Sequence, residues 1–418
     1  MTNDHSVFGG ASRAADFEEE ADATVRRVPA PPARREPEEQ PAPVQVVEPL
    51  PAPPAVPAVV EAPVPAPEPL PEPPAPDPAR RLAAAATTAA AATAETGPQR
   101  AQKGWRGALA KVGLPVAPGV AERAQREELA ARTAAILDAQ RVVRQATWTR
   151  AVAVLIGNPK GGTGKTPLAL ALGGIISAIR GGGVGIVEVA DDPGALGFRA
   201  EGSPSLGLGE FVRDVAQLET RGQVVGYTAP QTSFASVIGT VVDRSREPLT
   251  YEAVTAVAAK IDEHFEVRVM DSGNQPSSGP FRGAVDTADV LVIPVMLAGD
   301  STLEALGMLR ELRRTEAGRR LADTAIAVVM DDGRPQAPHM AEAVRDELTA
   351  AGVRTFHQMP YEPHIAARGE VTLAELHQDS TEALTLLAAD VIRALTLAAV
   401  PTGRRVQTVR PTTTQEQN

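Results

Sequence analysis

A glycine-rich loop at residues 160–166 constrains this chain more than any other segment. It reads Lys-Gly-Gly-Thr-Gly-Lys-Thr and directly follows an apolar run at 151–157. Glycines let backbone N–H groups converge on an anion without a Cβ in the way. A helix that begins near Thr166 points its positive N-terminus at the same place. The segment therefore predicts a strand, a phosphate-binding loop and a helix; the alternative is a glycine-rich turn with two solvated lysines.

The residue types of this loop suit a nucleoside triphosphate. Lys165 can reach the β- and γ-phosphates, and the Thr166 hydroxyl can hold Mg²⁺. The other cradle positions are Gly161, Gly162, Thr163 and Gly164. The common phosphate loop, G-x-x-x-x-G-K-S/T, fails here because its first glycine falls on Pro159. A second lysine, Lys160, stands at the start of the loop instead.

This arrangement resembles the deviant Walker A motif, K-G-G-x-G-K-S/T, of the ParA/MinD family of P-loop ATPases. The resemblance implies ATP and Mg²⁺ as cofactors, and an ATP-dependent homodimer in which Lys160 reaches the partner's nucleotide. It covers about residues 120–400 and is strongest at 151–197, 265–296 and 358–373. With its proline-rich N-terminal segment, the chain is similar to actinobacterial ParA-like ATPases. These include partition proteins and ATPases associated with type VII secretion.

Composition divides the chain into parts. Residues 29–78 hold 20 of the 38 prolines, and residues 1–80 carry −8 of the net charge of −11. Prolines disfavour helix and remove backbone donors, so this segment cannot build a core. We expect a disordered acidic arm at 1–100, a linker and helix at 101–150, a ParA/MinD-like ATPase domain at 151–400 and a disordered tail at 401–418.

Cysteine usage and hydropathy bear on the compartment. The chain has no cysteine, which excludes disulfides, thiol catalysis and cysteine-ligated metal, and which fits a reducing interior. The sequence has no apolar run of the roughly 18 residues that a membrane span needs, and its N-terminus lacks the pattern of a signal peptide. We therefore expect a cytoplasmic protein without a membrane partner.

After residue 150, apolar runs alternate with helical periodicity. The predicted strands are 151–157, 185–189, 265–271, 290–295, 325–330 and 354–358, and the predicted helices are 166–180, 207–218, 250–263, 301–321, 337–351 and 381–398. Near-continuous apolar strands separated by helices indicate a parallel sheet covered on both faces. The predicted fold class is therefore α/β, a doubly wound and mainly parallel sheet of the P-loop NTPase type. A helix at 120–147 either leans on this domain or stands free in solvent.

Asp271 is the predicted second ligand of the metal. It ends the strand 265–271 and begins the segment Asp-Ser-Gly-Asn. The carboxyl end of a central strand lies beside the phosphate loop in such sheets, and Mg²⁺ takes few protein carboxylates. The resemblance makes this the family's Walker B region, with Thr166 and Asp271 at Mg²⁺. The alternative is an aspartate that caps a turn.

Residues 188–196, Glu-Val-Ala-Asp-Asp-Pro-Gly-Ala-Leu, occupy the place of the family's switch I. Two alignments are open. One sets Glu188 at the first acid and Ala190 at the second polar position, which predicts slow hydrolysis. The other sets Asp192 at the second acid through its Asp-Pro pair, which makes Asp192 a catalytic residue together with Lys160. A plain surface loop is the remaining alternative.

Three further features bear on affinity and partners. Pro167 stands where the family usually has a hydroxyl residue, and its missing N–H predicts weaker nucleotide binding. The basic segment 309–320 can contact DNA phosphates without sequence preference, or it is a solvated helix face. The apolar face of the helix at 381–398 favours core packing over the membrane contact that MinD-type relatives make.

The leading hypothesis is a Mg²⁺-dependent ATPase that acts as a dimerisation switch for the partitioning of DNA or the positioning of similar cargo. The alternative is a slow or inactive nucleotide-binding scaffold, associated with type VII secretion or cell-pole organisation, whose proline-rich arm docks a protein partner. A metabolic P-loop enzyme that acts on a small molecule is a third hypothesis, which no substrate-binding insertion supports.

Overall fold

The structure, a computed structural model, describes residues 111–112, 117, 119–241, 246–337 and 339–400. The predicted arm at 1–100 and tail at 401–418 lie outside the described residues. The chain divides into one unit of residues 1–119 and a second of residues 120–418, and the elements below belong to the second. No helix in the described part is both long and apolar enough to cross a membrane.

Helices and strands alternate along this unit. In chain order they are α1 (Val120–Gln145), β1 (Val152–Ile156), α2 (Lys165–Arg180), β2 (Val184–Val189), α3 (Leu196–Arg199), α4 (Leu208–Asp214), α5 (Arg221–Val225), β3 (Ala229–Pro230), β4 (Ser236–Ile238), α6 (Tyr251–Asp262), β5 (Val267–Ser272), α7 (Gly279–Thr287), β6 (Val290–Met296), α8 (Gly299–Leu312), α9 (Glu316–Asp323), β7 (Ile326–Met330), α10 (Met340–Ala350), β8 (Thr355–Met359), α11 (Pro363–Ala366) and α12 (Gln378–Ala399).

The strands form one eight-stranded sheet in the order β3-β4-β2-β5-β1-β6-β7-β8. All neighbours are parallel except β3 and β4, which form a short antiparallel edge that the sequence did not predict. Strand β1 is central, and Ile156 at its end lies beside Asp271 of β5 and Val292 of β6. Parallel strands end at one edge, so the loops after β1, β2 and β5 meet there. The predicted doubly wound sheet is confirmed.

The two faces of the sheet carry separate cores. Val154 of β1 belongs to one core and Leu155 to the other, as the period of two along a strand requires. The first core is completed by α2 and α12, and the second by α4 and α6 to α10. Because both faces are covered, β1 is buried along its whole length. This coverage explains why the strands read as apolar runs.

The helix α1 packs on the domain through its C-terminal half. Ala139 and Val143 are buried there, whereas Leu129 and Leu137 are exposed. Arg180 at the end of α2 donates hydrogen bonds to the carbonyls of Val143 and Ala146, each 2.9 Å long. Of the two alternatives for this segment, the structure therefore has the packed helix.

The C-terminal helix α12 belongs to the core. Its apolar face, which includes Leu384, Leu387 and Ile392, is buried against the first core. The prediction of core packing for this helix is confirmed.

The prediction of one helix at 301–321 is wrong, because the structure has α8 and α9 with a break between them. The Thr315 hydroxyl caps α9 by accepting a hydrogen bond from the Gly318 N–H at 3.0 Å. Gly318 packs so tightly on the Leu312 carbonyl that a Cβ would overlap it. The cap and the close backbone contact therefore end one helix and begin another, although the helical spacing of apolar residues continues through the segment.

Candidate functional site

The loop between β1 and α2 has the backbone of a phosphate cradle. Gly162 and Gly164 take left-handed conformations, with φ of 79° and 87°. Side-chain-bearing residues disfavour this region, so the two glycines fix the path of the loop. The first residue of α2 is Lys165, directly after Gly164. The positive end of a helix of 16 residues therefore stands at the cradle.

The Lys165 ammonium is buried at the centre of the cradle. Its Nζ donates to Asn274 Oδ1 at 2.6 Å and to the Lys160 carbonyl at 3.2 Å. Burial lowers the pKa of Lys165, and the charge of Asp271 opposes that shift. Asn274 was missed as a site residue, although it is the last residue of the Asp-Ser-Gly-Asn segment that begins within β5. The Asn274 side chain therefore holds the Lys165 ammonium at the place where a phosphate would bind.

Thr166 and Asp271 meet beside the lysine. The Thr166 hydroxyl donates to Asp271 Oδ2 at 2.6 Å. Asp271 is only 4% exposed, and its Oδ1 has no hydrogen-bond partner among the residues that the structure describes. Burial raises the pKa of Asp271 to about 7, and the charge of Glu188 adds to the shift. The hydrogen bond from Thr166 and the charge of Lys165 oppose it.

This pair fits a Mg²⁺ ion. A buried carboxylate oxygen without a partner needs a donor or a cation, and oxygen ligands are those that Mg²⁺ prefers. The Glu188 Oε2 atom is also buried and without a partner in the described part of the chain. Both carboxylates line the same cavity as Thr166. Thr166 and Asp271 would hold the ion, which supplies positive charge to phosphate oxygens when bound.

The cavity at this edge has a volume of about 820 Å³. It is lined by the phosphate loop, the loop at 190–195 after β2, the segment after β5 and the loops that follow β7 and β8. Small-molecule sites commonly measure about 300–1,000 Å³. The cavity is therefore large enough for a nucleotide.

Glu188, one residue before the end of β2, lies within a network of hydrogen bonds. Its Oε1 accepts from Arg246 Nη2 at 2.9 Å, from Thr240 Oγ1 at 2.7 Å and from the Gly194 N–H at 3.0 Å. The side chains of Glu188 and Arg246 are 1% and 3% exposed. This carboxylate is therefore fixed by charge and by hydrogen bonds.

Arg246 also holds the loop at 190–195. Its guanidinium donates to the carbonyls of Ala190, Asp191 and Asp192 at 2.9, 2.7 and 2.8 Å. Sequence reasoning missed this residue, because it is 58 positions from Glu188 and lies in no motif. Only the fold brings it to the loop.

The remaining predicted residues lie apart from this cluster. Asp192 lines the cavity, but its exposed carboxylate makes no hydrogen bond or ion pair within the part of the chain that the structure describes. The Lys160 ammonium, 44% exposed, pairs with Asp300 Oδ2 of α8 at 2.7 Å. The catalytic roles of Lys160 and Asp192 stay predictions.

Solved structures with a similar fold include nucleotide-binding ATPases. They include a ParA family ATPase from Chlorobium tepidum (13% identity, TM-score 0.43, 60% of this chain and 96% of that one). The cell division ATPase MinD from Pyrococcus furiosus is also similar (18% identity, TM-score 0.43, 58% and 99%). A third is Cyanothece McdA in complex with ATP (17% identity, TM-score 0.43, 59% and 97%).

No family model and no curated protein matches the chain. With identities and TM-scores this low, the fold is assigned from the strand order and the phosphate loop of the chain itself.

Proposed function

We propose that the chain binds ATP with Mg²⁺ in this cavity and hydrolyses it as the switch of a dimerising ATPase. One observation carries the proposal: Thr166 and Asp271 are hydrogen-bonded beside the phosphate loop, and Asp271 keeps a buried oxygen free of partners within the described residues. Lys165 would neutralise the β- and γ-phosphates, and the backbone of Gly161–Gly164 would cradle them.

Dimerisation depends on Lys160 in this proposal. The side chains of Lys160 and Asp300 are both exposed, and water and salt screen such an ion pair strongly. Breaking the pair is therefore easy, and Lys160 is free to reach a phosphate bound in a second copy of the chain. ATP would then join two subunits, and hydrolysis would separate them.

The cargo in this proposal is DNA or a similar large polyanion in the cytoplasm. Arg310, Arg319 and Arg320 on α8 and α9 are exposed, whereas Arg314 pairs with Glu311 at 2.8 Å. Exposed arginines bind DNA phosphates without reading the sequence, and this binding weakens with salt. The proline-rich arm would dock a protein partner.

The first test is ATP binding and hydrolysis by the full chain, with and without duplex DNA, beside Lys165→Ala and Lys160→Ala. We expect Lys165→Ala to lose binding. Lys160→Ala should bind ATP but lose turnover and ATP-dependent dimerisation. Wild-type affinity in Lys165→Ala would contradict the proposed site.

A nucleotide-binding scaffold with little turnover is the second candidate. Ala190 offers no side chain that can orient water, and Arg246 holds the backbone of this loop in place. ATP binding by the wild type without turnover, with or without DNA, would favour the scaffold.

A further inference from the structure

Two arginines of the cavity have no acidic partner. Arg199 ends α3, and Arg368 follows α11; both line the cavity that holds the phosphate loop. Neither forms a salt bridge with any residue that the structure describes. The Nε of Arg199 is also buried without a hydrogen-bond partner in the described part. Buried donors of this kind call for an acceptor that the chain itself does not provide.

The Arg199 side chain is held beside the backbone of the segment that carries Arg368. Arg199 Nη2 donates to the Ile365 carbonyl at 3.1 Å, and the Val371 N–H donates to the Arg199 carbonyl at 2.8 Å. The Arg368 N–H donates to the same Ile365 carbonyl at 3.1 Å. These bonds join α3 to the loop that carries Arg368, although the two segments leave opposite halves of the sheet.

This pairing of like charges is unfavourable without a ligand. Burial lowers the pKa of Arg199, and the positive charge of Arg368 lowers it further. Arg368 also takes a left-handed backbone with φ of 60°, which is uncommon for a residue with a side chain. An anion between the guanidiniums would remove the repulsion and supply the missing acceptor.

Two acids that line the same cavity, Asp332 and Glu362, are already bonded elsewhere. Asp332 pairs with Arg334 at 3.3 Å. The carboxylate of Glu362 accepts from the backbone N–H groups of His364 and His377, at 3.1 and 2.9 Å. In the described structure these acids do not pair with Arg199 or Arg368.

We propose that Arg199 and Arg368 form a second anion subsite of the cavity, which takes one phosphate group beyond those that the loop 160–166 cradles. This subsite rests on the proposed nucleotide site. Pro167, in the first turn of α2, lacks the N–H that would bind a phosphate there, and α3 packs against α2. The phosphate group comes either from the α-phosphate of the nucleotide or from a separate phosphate ion.

Two calorimetric titrations of the full chain distinguish these sources. In the first, ADP with Mg²⁺ is titrated into wild type, Arg199→Ala and Arg368→Ala. In the second, inorganic phosphate is titrated into each protein saturated with ADP and Mg²⁺. Arg334→Ala is the matched control, because Arg334 lines the same cavity but pairs with Asp332.

We expect both variants to weaken binding by about tenfold in one of the two titrations, with less than a twofold effect in Arg334→Ala. A loss in the first titration identifies the α-phosphate. A loss in the second alone identifies a separate ion. Unchanged affinities in both titrations overturn the subsite, as does phosphate binding that needs Lys165 but neither arginine.

Two controls separate a loss of phosphate binding from misfolding and from a failure of the proposed nucleotide site. The side chain of Arg368 is exposed, so Arg368→Ala should fold even if Arg199→Ala does not, and thermal unfolding checks each variant. If the wild type binds no ADP, the proposed function fails by itself. Inorganic phosphate titrated into the nucleotide-free chain then tests the arginines separately, since their subsite predicts binding that Arg368→Ala loses and Lys165→Ala retains.

Discussion

Arg246 and Glu188 form a buried salt bridge, with 2.9 Å between Nη2 and Oε1. The same guanidinium donates to the carbonyls of Ala190, Asp191 and Asp192. One side chain therefore fixes both the carboxylate at the end of β2 and the backbone of the loop that lines the cavity. The chain's own hydrogen bonds therefore hold this loop in place.

Removing one partner of this bridge should destabilise the fold strongly. We expect Arg246→Ala to lower the free energy of unfolding by about 3–5 kcal/mol, because Glu188 would remain as an uncompensated buried charge. Urea denaturation measures the loss.

The double variant Arg246→Ala with Glu188→Gln separates charge from packing. It should lose less than the sum of the two single changes, since the unpaired charge is gone. Additive losses would show that the bridge contributes little. Arg246→Lys is the conservative control: it keeps the charge but lacks the fork of donors that reaches the three loop carbonyls.

Asp271 should make the stability of the ligand-free protein depend on pH. Its pKa is about 7 in the fold and roughly 3.9 in an unfolded chain. The folded state therefore binds more protons between these values, and its stability falls as pH rises from about 4 to 7. Asp271→Asn stays neutral, so its melting temperature should exceed that of the wild type increasingly from pH 5 to pH 8.

The difference between the two proteins is the quantity to measure, because all other titrating groups contribute to both. Adding ADP with Mg²⁺ at pH 8 should stabilise the wild type more than Asp271→Asn. A difference in melting temperature that does not change with pH would contradict the raised pKa.

Pro167 should limit nucleotide affinity. Restoring the N–H in the first turn of α2 gives a phosphate one more donor, and a hydrogen bond to a charged group contributes about 1.5–3 kcal/mol. We expect Pro167→Thr to bind ADP at least about tenfold more tightly in calorimetry. Pro167→Ala should show the same gain if the N–H is the cause, whereas a gain in Pro167→Thr alone would assign it to the hydroxyl. Equal affinity in all three proteins would contradict the prediction.

Gly197 should be required for the packing of α3. A Cβ on this residue would overlap the Thr240 carbonyl oxygen, which is backbone and cannot turn away. We expect Gly197→Ala to cost about 1–3 kcal/mol in chemical denaturation. Gly307→Ala is the matched control: Gly307 lies within α8 with nothing within 4 Å of its Cβ position. That change should stabilise by roughly 0.5–1 kcal/mol, and a loss of stability there would contradict the packing described.

The candidate site follows from the sequence where its parts are local. The run 151–157, the glycines of the loop and Lys165 lie within one strand–loop–helix unit, so spacing alone fixes their relation. Asp271 could also be placed, because an acid at the end of an apolar strand must lie at the edge where parallel strands end. The break between α8 and α9 was missed. The threonine cap and the close glycine contact that cause it do not change the helical spacing of apolar residues, and the prediction relied on that spacing.

The sequence by itself determined the parallel sheet, the phosphate cradle, and the hydroxyl and carboxylate suited to Mg²⁺. The spacing of apolar residues, the conformational freedom of glycine and the places where strands end are all properties of short segments, so the sequence shows them directly. Only the tertiary structure decided which distant charges face that cradle. Arg246 bonds to Glu188 across 58 positions in the sequence. Arg199, which follows β2, bonds to the carbonyl of Ile365, in the segment after β8 that also carries Arg368. The sequence gives the charge of each side chain, but the packing of the helices and strands sets the distance between two charged side chains.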